Sequence, residues 1–188
     1  MSWNRVKWTE AGQIAERLEW KEPLGADATT APEAYFATLR QAGRLNDAVF
    51  FLGQALPRFE TVAWAARAVR DLRVTPLPPG PDAEALKAAL LWVQDPSENR
   101  RRTAFDAAEK APDTSAERLA AFAAFFSGGS IAPPDCPAVQ APPDAAGRFA
   151  AVAVLVAAIH SGDEAGALTR ALDAGALIAQ QGLGAAAA

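Results

Sequence analysis

Few side chains in this sequence could do chemistry. There is one histidine, His160, one cysteine, Cys136, and a Ser127-Gly-Gly-Ser130 turn. His160 could serve as a general base, but a base needs a partner that positions it, and the surrounding sequence signals none. It falls in the last turn of a predicted helix, just before Gly162, where a helix-end role beside the negative end of the dipole explains it. Cys136 stands between Asp135 and Pro137. A reactive thiolate wants a helix N-terminus or a nearby cation, and here the chain neighbour is an anion. A Cys136–His160 pair could arise only through the fold. One Cys and one His fall short of the usual four ligands of a nitrogen/sulfur metal site. The SGGS turn lacks the lysine of a phosphate-binding loop and the flanks of a nucleophile elbow. Gly128 or Gly129 is therefore expected to end a helix in the left-handed conformation. The carboxylates form no E-x-x-H or paired inward set like that of a di-metal bundle. No catalytic residue, cofactor or metal is expected. An enzyme using His160, Cys136 or a serine of the SGGS turn stands as the alternative to a non-enzymatic role, as does a small-ligand pocket between alanine-rich helices.

The basic residues offer a different chemistry. Arg100-Arg101-Arg102 is the densest cationic run. On a helix the three point about 100° apart, and Glu98 and Asp106 flank Arg102 at four-residue spacing, the distance for ion pairs along one face. A solvated face is the expectation, with a patch for an acidic partner as the other reading. Beside it stands the segment Ser127–Pro143, SGGSIAPPDCPAVQAPP, with five prolines and a single charged residue, Asp135. Irregular stretches of this length inside a compact domain are uncommon and usually functional or disordered. Extended proline-rich chain can present a low-entropy surface. The candidate partner-binding residues are Ser130, Ile131, Pro133, Pro134, Asp135, Cys136, Pro137 and Val139, with Arg58, Arg100, Arg101 and Arg102 as secondary contacts. The competing reading is a packed strap in which Ile131 and Val139 cover a helix groove.

Composition narrows the class. The 188 residues carry a formal net charge of −4, near neutral over 1–75 and negative over 76–188. Nucleic-acid binding needs clustered cations on a basic domain, so it is not expected. A lone cysteine fits a reducing compartment. The opening MSWNRVKWTEAG has no apolar stretch of the secretory-signal kind. Phe149–Ile159, FAAVAVLVAAI, is too short to cross a bilayer, which takes roughly 20 residues, and reads as a buried helix. A soluble, cytoplasmic protein with a protein partner and no membrane insertion is expected. Hydrophobic residues make up 51% of the chain, but much of that is alanine. Large packing volume must then come from the five tryptophans and nine phenylalanines. Trp3, Trp8 and Trp20 are expected to seal one end of the core, the other reading being partial exposure at an interface, where Trp is enriched.

The elements that must position these groups are helices. Apolar residues recur at helical spacing over about Glu10–Glu19, Ala31–Ala42, Leu45–Leu56, Pro57–Leu72, Asp82–Gln94, Pro96–Ala111, Ser115–Phe126, Asp144–His160 and Asp163–Gln180. Three capping boxes are predicted, at Thr30–Glu33, Asp95–Glu98 and Thr114–Glu117. Only Trp3–Trp8 could form a short strand, and the tail from Gly182 should fray. The expected fold is all-α: an irregular bundle of eight or nine short antiparallel helices in one domain, 1–188, divisible at the Pro-rich linker 76–81, with the long loop at 127–143. No convincing repeat suggests a solenoid.

Three segments together carry a resemblance: Ala55-Leu-Pro-Arg-Phe-Glu-Thr-Val-Ala-Trp-Ala65, then Trp92-Val-Gln-Asp-Pro-Ser-Glu-Asn-Arg-Arg101, then Phe126-Ser-Gly-Gly-Ser-Ile-Ala-Pro-Pro134. Over roughly 45–180 the chain resembles an uncharacterised bacterial family of small all-helical proteins. The resemblance implies an accessory place, for some members beside type VI secretion components such as spike-tip proteins and effector adaptors. It transfers no catalytic residue.

Overall fold

The structure, a computed structural model, describes residues 2–21 and 24–184. Ala185–Ala188 of the tail expected to fray lie outside the described residues. Nine α-helices run through them: α1 Ala11–Arg17, α2 Pro32–Gln41, α3 Leu45–Ala55, α4 Arg58–Asp71, α5 Pro81–Gln94, α6 Glu98–Ala108, α7 Ala116–Phe126, α8 Ala145–His160 and α9 Glu164–Gln181. A 3-10 turn, Gly25–Thr29, precedes α2. No strand forms among the described residues; Trp3–Trp8 is irregular, and Ser130 and Gln140 make an isolated antiparallel bridge. The all-α multi-helix bundle is as the periodicity indicates.

Helix α8 is the hub, packed against α3, α4, α7 and α9. Alanine explains why. Ala146, Ala150, Ala151, Ala153, Ala157 and Ala158 are all buried, and small side chains admit neighbours on several sides at once. It is not buried all round, since Ile159 is exposed. The closest crossing is α3 against α8 at Gly53 and Gly147. A Cβ on Gly147 would stand 2.7 Å from the Gly53 carbonyl oxygen, so only glycine fits. Aromatic rings fill the remaining volume. Phe105, Phe122, Phe125, Phe126 and Phe149 form a continuous ring cluster. At the opposite end Trp3 meets Phe36, and Trp20 meets Tyr35 and Phe51. Trp3 is buried, Trp8 and Trp20 partly so, which closes that end of the core. Buried residues from all nine helices join a single hydrophobic cluster.

The predicted capping boxes are displaced. Helix α7 is capped by Ser115, whose hydroxyl oxygen accepts from the Arg118 amide, not by Thr114. Helix α2 starts behind Ala31 with Pro32 in its first turn, and the Thr30 hydroxyl donates to the Asp27 carbonyl instead. Helix α6 starts behind Ser97, and Asp95 turns to Arg100. In two of the boxes the glutamate has a stronger partner than a backbone amide: Glu117 pairs with Arg73, and Glu98 with Arg101 and Arg102. Charge-assisted bonds are roughly twice as strong as neutral ones.

Candidate functional site

The three segments that carry the resemblance lie far apart in the chain and meet at one place. The start of α4 brings Arg58, the start of α6 brings Glu98, Arg101 and Arg102, and the end of α7 leads into Ser127–Ser130. Arg101 is the centre. It is only 4% exposed, which overturns the solvated-face expectation for this residue. Its guanidinium donates to both Glu98 carboxylate oxygens, at 2.6 and 2.7 Å, to the Phe125 carbonyl at 2.6 Å and to the Ser130 carbonyl at 2.7 Å. It also lies over the Phe125 ring, 4.7 Å from the centroid.

The physical reason is helix termination. The last carbonyls of α7 have no partner inside the helix, and a buried Arg can donate to several acceptors in a fixed fork. Arg102 joins it, donating to Glu98 at 2.9 Å and to the same Ser130 carbonyl at 2.8 Å. No Arg102–Asp106 pair forms. Arg100 is the more exposed member and holds Asp95 at 3.0 Å. Hydrogen bonding from Arg101 pulls the Glu98 carboxyl down to about 2. Partial desolvation opposes the shift, and Arg102 adds to it.

The loop is held at its feet and free at its tip. At the N-terminal foot, the Ser130 hydroxyl oxygen accepts from the Ala132 and Val139 amides, and the Ile131 amide donates to the Val139 carbonyl at 2.8 Å. A turn closes the tip, with the Cys136 amide donating to the Pro133 carbonyl. At the other foot, Arg17 of α1 donates to the Pro143 carbonyl. Arg58 adds a long bond to the Ser127 carbonyl, 3.4 Å. Gly129 takes the left-handed conformation, φ +65°, where a Cβ would also stand 3.0 Å from Arg101 Nε. Residues 133–140 are all exposed. Val139 is 51% exposed, and neither it nor Ile131 packs against the core, so the strap reading fails.

The residues considered for catalysis are not gathered. Cys136 is an exposed free thiol at the loop tip. His160 is exposed and borders a cleft of about 410 Å³ with Arg73, Asp82, Ser115 and Glu117. Within that cleft Glu117 is engaged by Arg73 and by the Ser115 hydroxyl. The His160 side chain makes no hydrogen bond among the described residues. Ser127 donates its hydroxyl to the Ala124 carbonyl, and Ser130 is occupied as described. No group of three or more His, Cys, Asp or Glu able to hold a metal occurs among the described residues. No helix among them is long and apolar enough to cross a membrane.

A second concavity went unseen in the sequence. It measures about 390 Å³ and is lined by Lys7, Trp8, Arg17, Gln54, Arg58 and Pro143, among others. Gln54 is buried and holds it together. Its side chain accepts from Arg17 Nε at 3.1 Å and donates to the Asp144 carbonyl at 2.7 Å, and its own carbonyl accepts from the Trp8 indole at 3.0 Å. The signal in reach was that neither Arg17 nor Arg58 has a carboxylate three or four residues away.

No curated protein and no solved structure matches the chain. A family model matches residues 35–179, which takes in α3 to α8 and leaves α1 outside. The chain therefore belongs to the family of unknown function DUF6931.

Proposed function

We propose that the protein is a non-enzymatic helical interaction module that presents residues 130–143 as a pre-shaped loop to a protein partner. One observation carries this reading. The loop stands clear of the core, yet its feet are tied by arginines from separate helices. A segment already ordered in its bound shape loses less entropy on binding than a free one. The tip offers mixed chemistry: proline faces, the exposed Val139, and Asp135 as its one charge. The resemblance drawn above makes spike-tip proteins and effector adaptors of a type VI secretion apparatus the first partners to try.

The test replaces residues 132–138 by a short Gly/Ser turn that leaves Ser130 and Val139 in place. Co-purification with those partners should be lost while the melting temperature stays within about 2 °C of wild type, as expected for exposed chain. Equal partner recovery from the two proteins would refute the reading. A fall in melting temperature would return the loop to a structural role.

A further inference from the structure

Most cations of this chain are neutralised. Twelve of the eighteen lysines and arginines form ion pairs among the described residues. Of those that do not, Lys7, Arg17 and Arg58 line the same cleft. Three positive charges without a salt bridge among the described residues, around one hollow, are unexpected in a protein of net charge −4. The carboxylates close by are already taken. Asp144, which acts on Arg17, is held by Arg148, and Glu60, in the first turn of α4, is held by Arg5 at 3.0 Å.

From this geometry we infer that the cleft is a binding site for a small oxyanion, a molecule carrying phosphate or carboxylate groups with at least two negative charges. Arg17, Arg58 and Lys7 supply the counter-charge. Arg17 is held in place at the cleft wall: it is half-buried, its Nε is fixed by Gln54 and one terminal nitrogen by the Pro143 carbonyl, and its guanidinium lies 5.5 Å from the centre of the Trp8 ring. Burial and the Arg58 charge both disfavour its cationic form, and Asp144 only partly offsets them. An arriving anion would relieve that strain. The N-terminus of α4 opens on the same cleft through Pro57 and Arg58, without a side-chain cap, and adds the positive end of a fourteen-residue helix. Trp8, Leu56 and Pro143 give an apolar wall. The volume lies in the range of small-molecule sites, roughly 300–1,000 Å³. It exceeds what inorganic phosphate needs, so the oxyanion is expected to be part of a larger molecule.

The site does not depend on the loop tip, because residues 131–140 take no part in the lining. Its test needs no protein partner. Pyrophosphate and citrate serve as probes of phosphoryl and carboxylate chemistry. They are titrated calorimetrically at about 50 mM salt, where exposed charges are only partly screened. One probe should bind one-to-one with Kd below about 1 mM, a typical threshold for a charge-assisted site. Whichever binds more tightly names the oxyanion. Arg58→Gln and Lys7→Gln, both at exposed positions, should each weaken binding about tenfold, and Lys110→Gln, an unpaired lysine outside the cleft, should not. The Trp8 indole N–H resonance should shift with the saturating probe. The inference is overturned if neither probe saturates below about 10 mM, if Lys110→Gln weakens binding as much as the cleft variants, or if the Trp8 resonance stays still at saturation.

Discussion

Replacing Arg101 by methionine removes the clamp while keeping most of its volume. The cost can be built bond by bond. The Phe125 carbonyl is buried and loses its Arg101 donor; an orphaned buried acceptor costs about 1–3 kcal/mol. The Ser130 carbonyl keeps Arg102, so its loss is below about 1 kcal/mol. The contact with the Phe125 ring is worth about 0.5–2 kcal/mol. Glu98 is 59% exposed and re-solvates, so the ion pair itself adds less than about 1 kcal/mol. Methionine returns part of this by sparing the desolvation of a guanidinium. The expected net loss is about 2–4 kcal/mol, which lowers the melting temperature by roughly 4–16 °C for a chain of this size. Thermal unfolding followed by circular dichroism measures the loss, and hydrogen exchange of the Ile131 and Val139 amides tests its location. Those amides should exchange much faster in the variant, while α3 and α9 amides should change only with global stability. Arg101→Lys should rescue little, because a single ammonium cannot reproduce the fork. A variant within about 1 kcal/mol of wild type, with unchanged exchange at the loop foot, would refute the reasoning.

Acid should loosen the same foot. Glu98 contributes its stabilisation above the ordinary carboxyl pKa of 4.5, and this is lost as pH falls toward its folded value of about 2. Because the side chain is mostly exposed, the loss is below about 1 kcal/mol, seen as the difference between wild type and Glu98→Gln in denaturant melts at pH 6 and pH 2.5. Gly147→Ala drives a Cβ to 2.6 Å from Gln54 Cδ and 2.7 Å from the Gly53 carbonyl oxygen. It should cost about 1–3 kcal/mol, whereas Gly128→Ala, with nothing within 4 Å, should show none of this crowding penalty. Two of the buried tryptophans, Trp64 and Trp92, should part company on replacement by phenylalanine. Trp64 donates to the Ala171 carbonyl at 2.8 Å, while the Trp92 N–H is buried without a partner. Trp64→Phe should therefore be the more damaging by about 1 kcal/mol in urea denaturation.

The helices were legible because their apolar spacing is local, and the observed boundaries fall within a few residues of those the periodicity sets. The caps were less so. A glutamate three residues after Asp95 or Thr114 looks like a capping partner until an arginine from elsewhere claims it, as Arg73 claims Glu117 across 44 positions. Arg101 misled for the same reason. Its neighbours at 100 and 102 are charged, and its acceptors, the Phe125 and Ser130 carbonyls, lie 24 and 29 residues on. Backbone carbonyls leave no mark on residue identity, so no pattern could announce them. The loop was visible from its prolines, but its exposure was not, since Ile131 and Val139 are apolar and could equally have packed. Lys7, Arg17 and Arg58 stand in the segment before α1, at the end of α1 and at the start of α4, and become neighbours only through the fold.

At both feet of the loop the arginines grip main-chain oxygens, so the grip is indifferent to which residues the loop carries. Between Val139 and Ile131 the sequence can drift, lengthen or be exchanged without disturbing the helices beneath. The scaffold is in that sense a socket. Homologues could diverge in this loop while sharing one stable body, and foreign peptides could be grafted between the same two anchors.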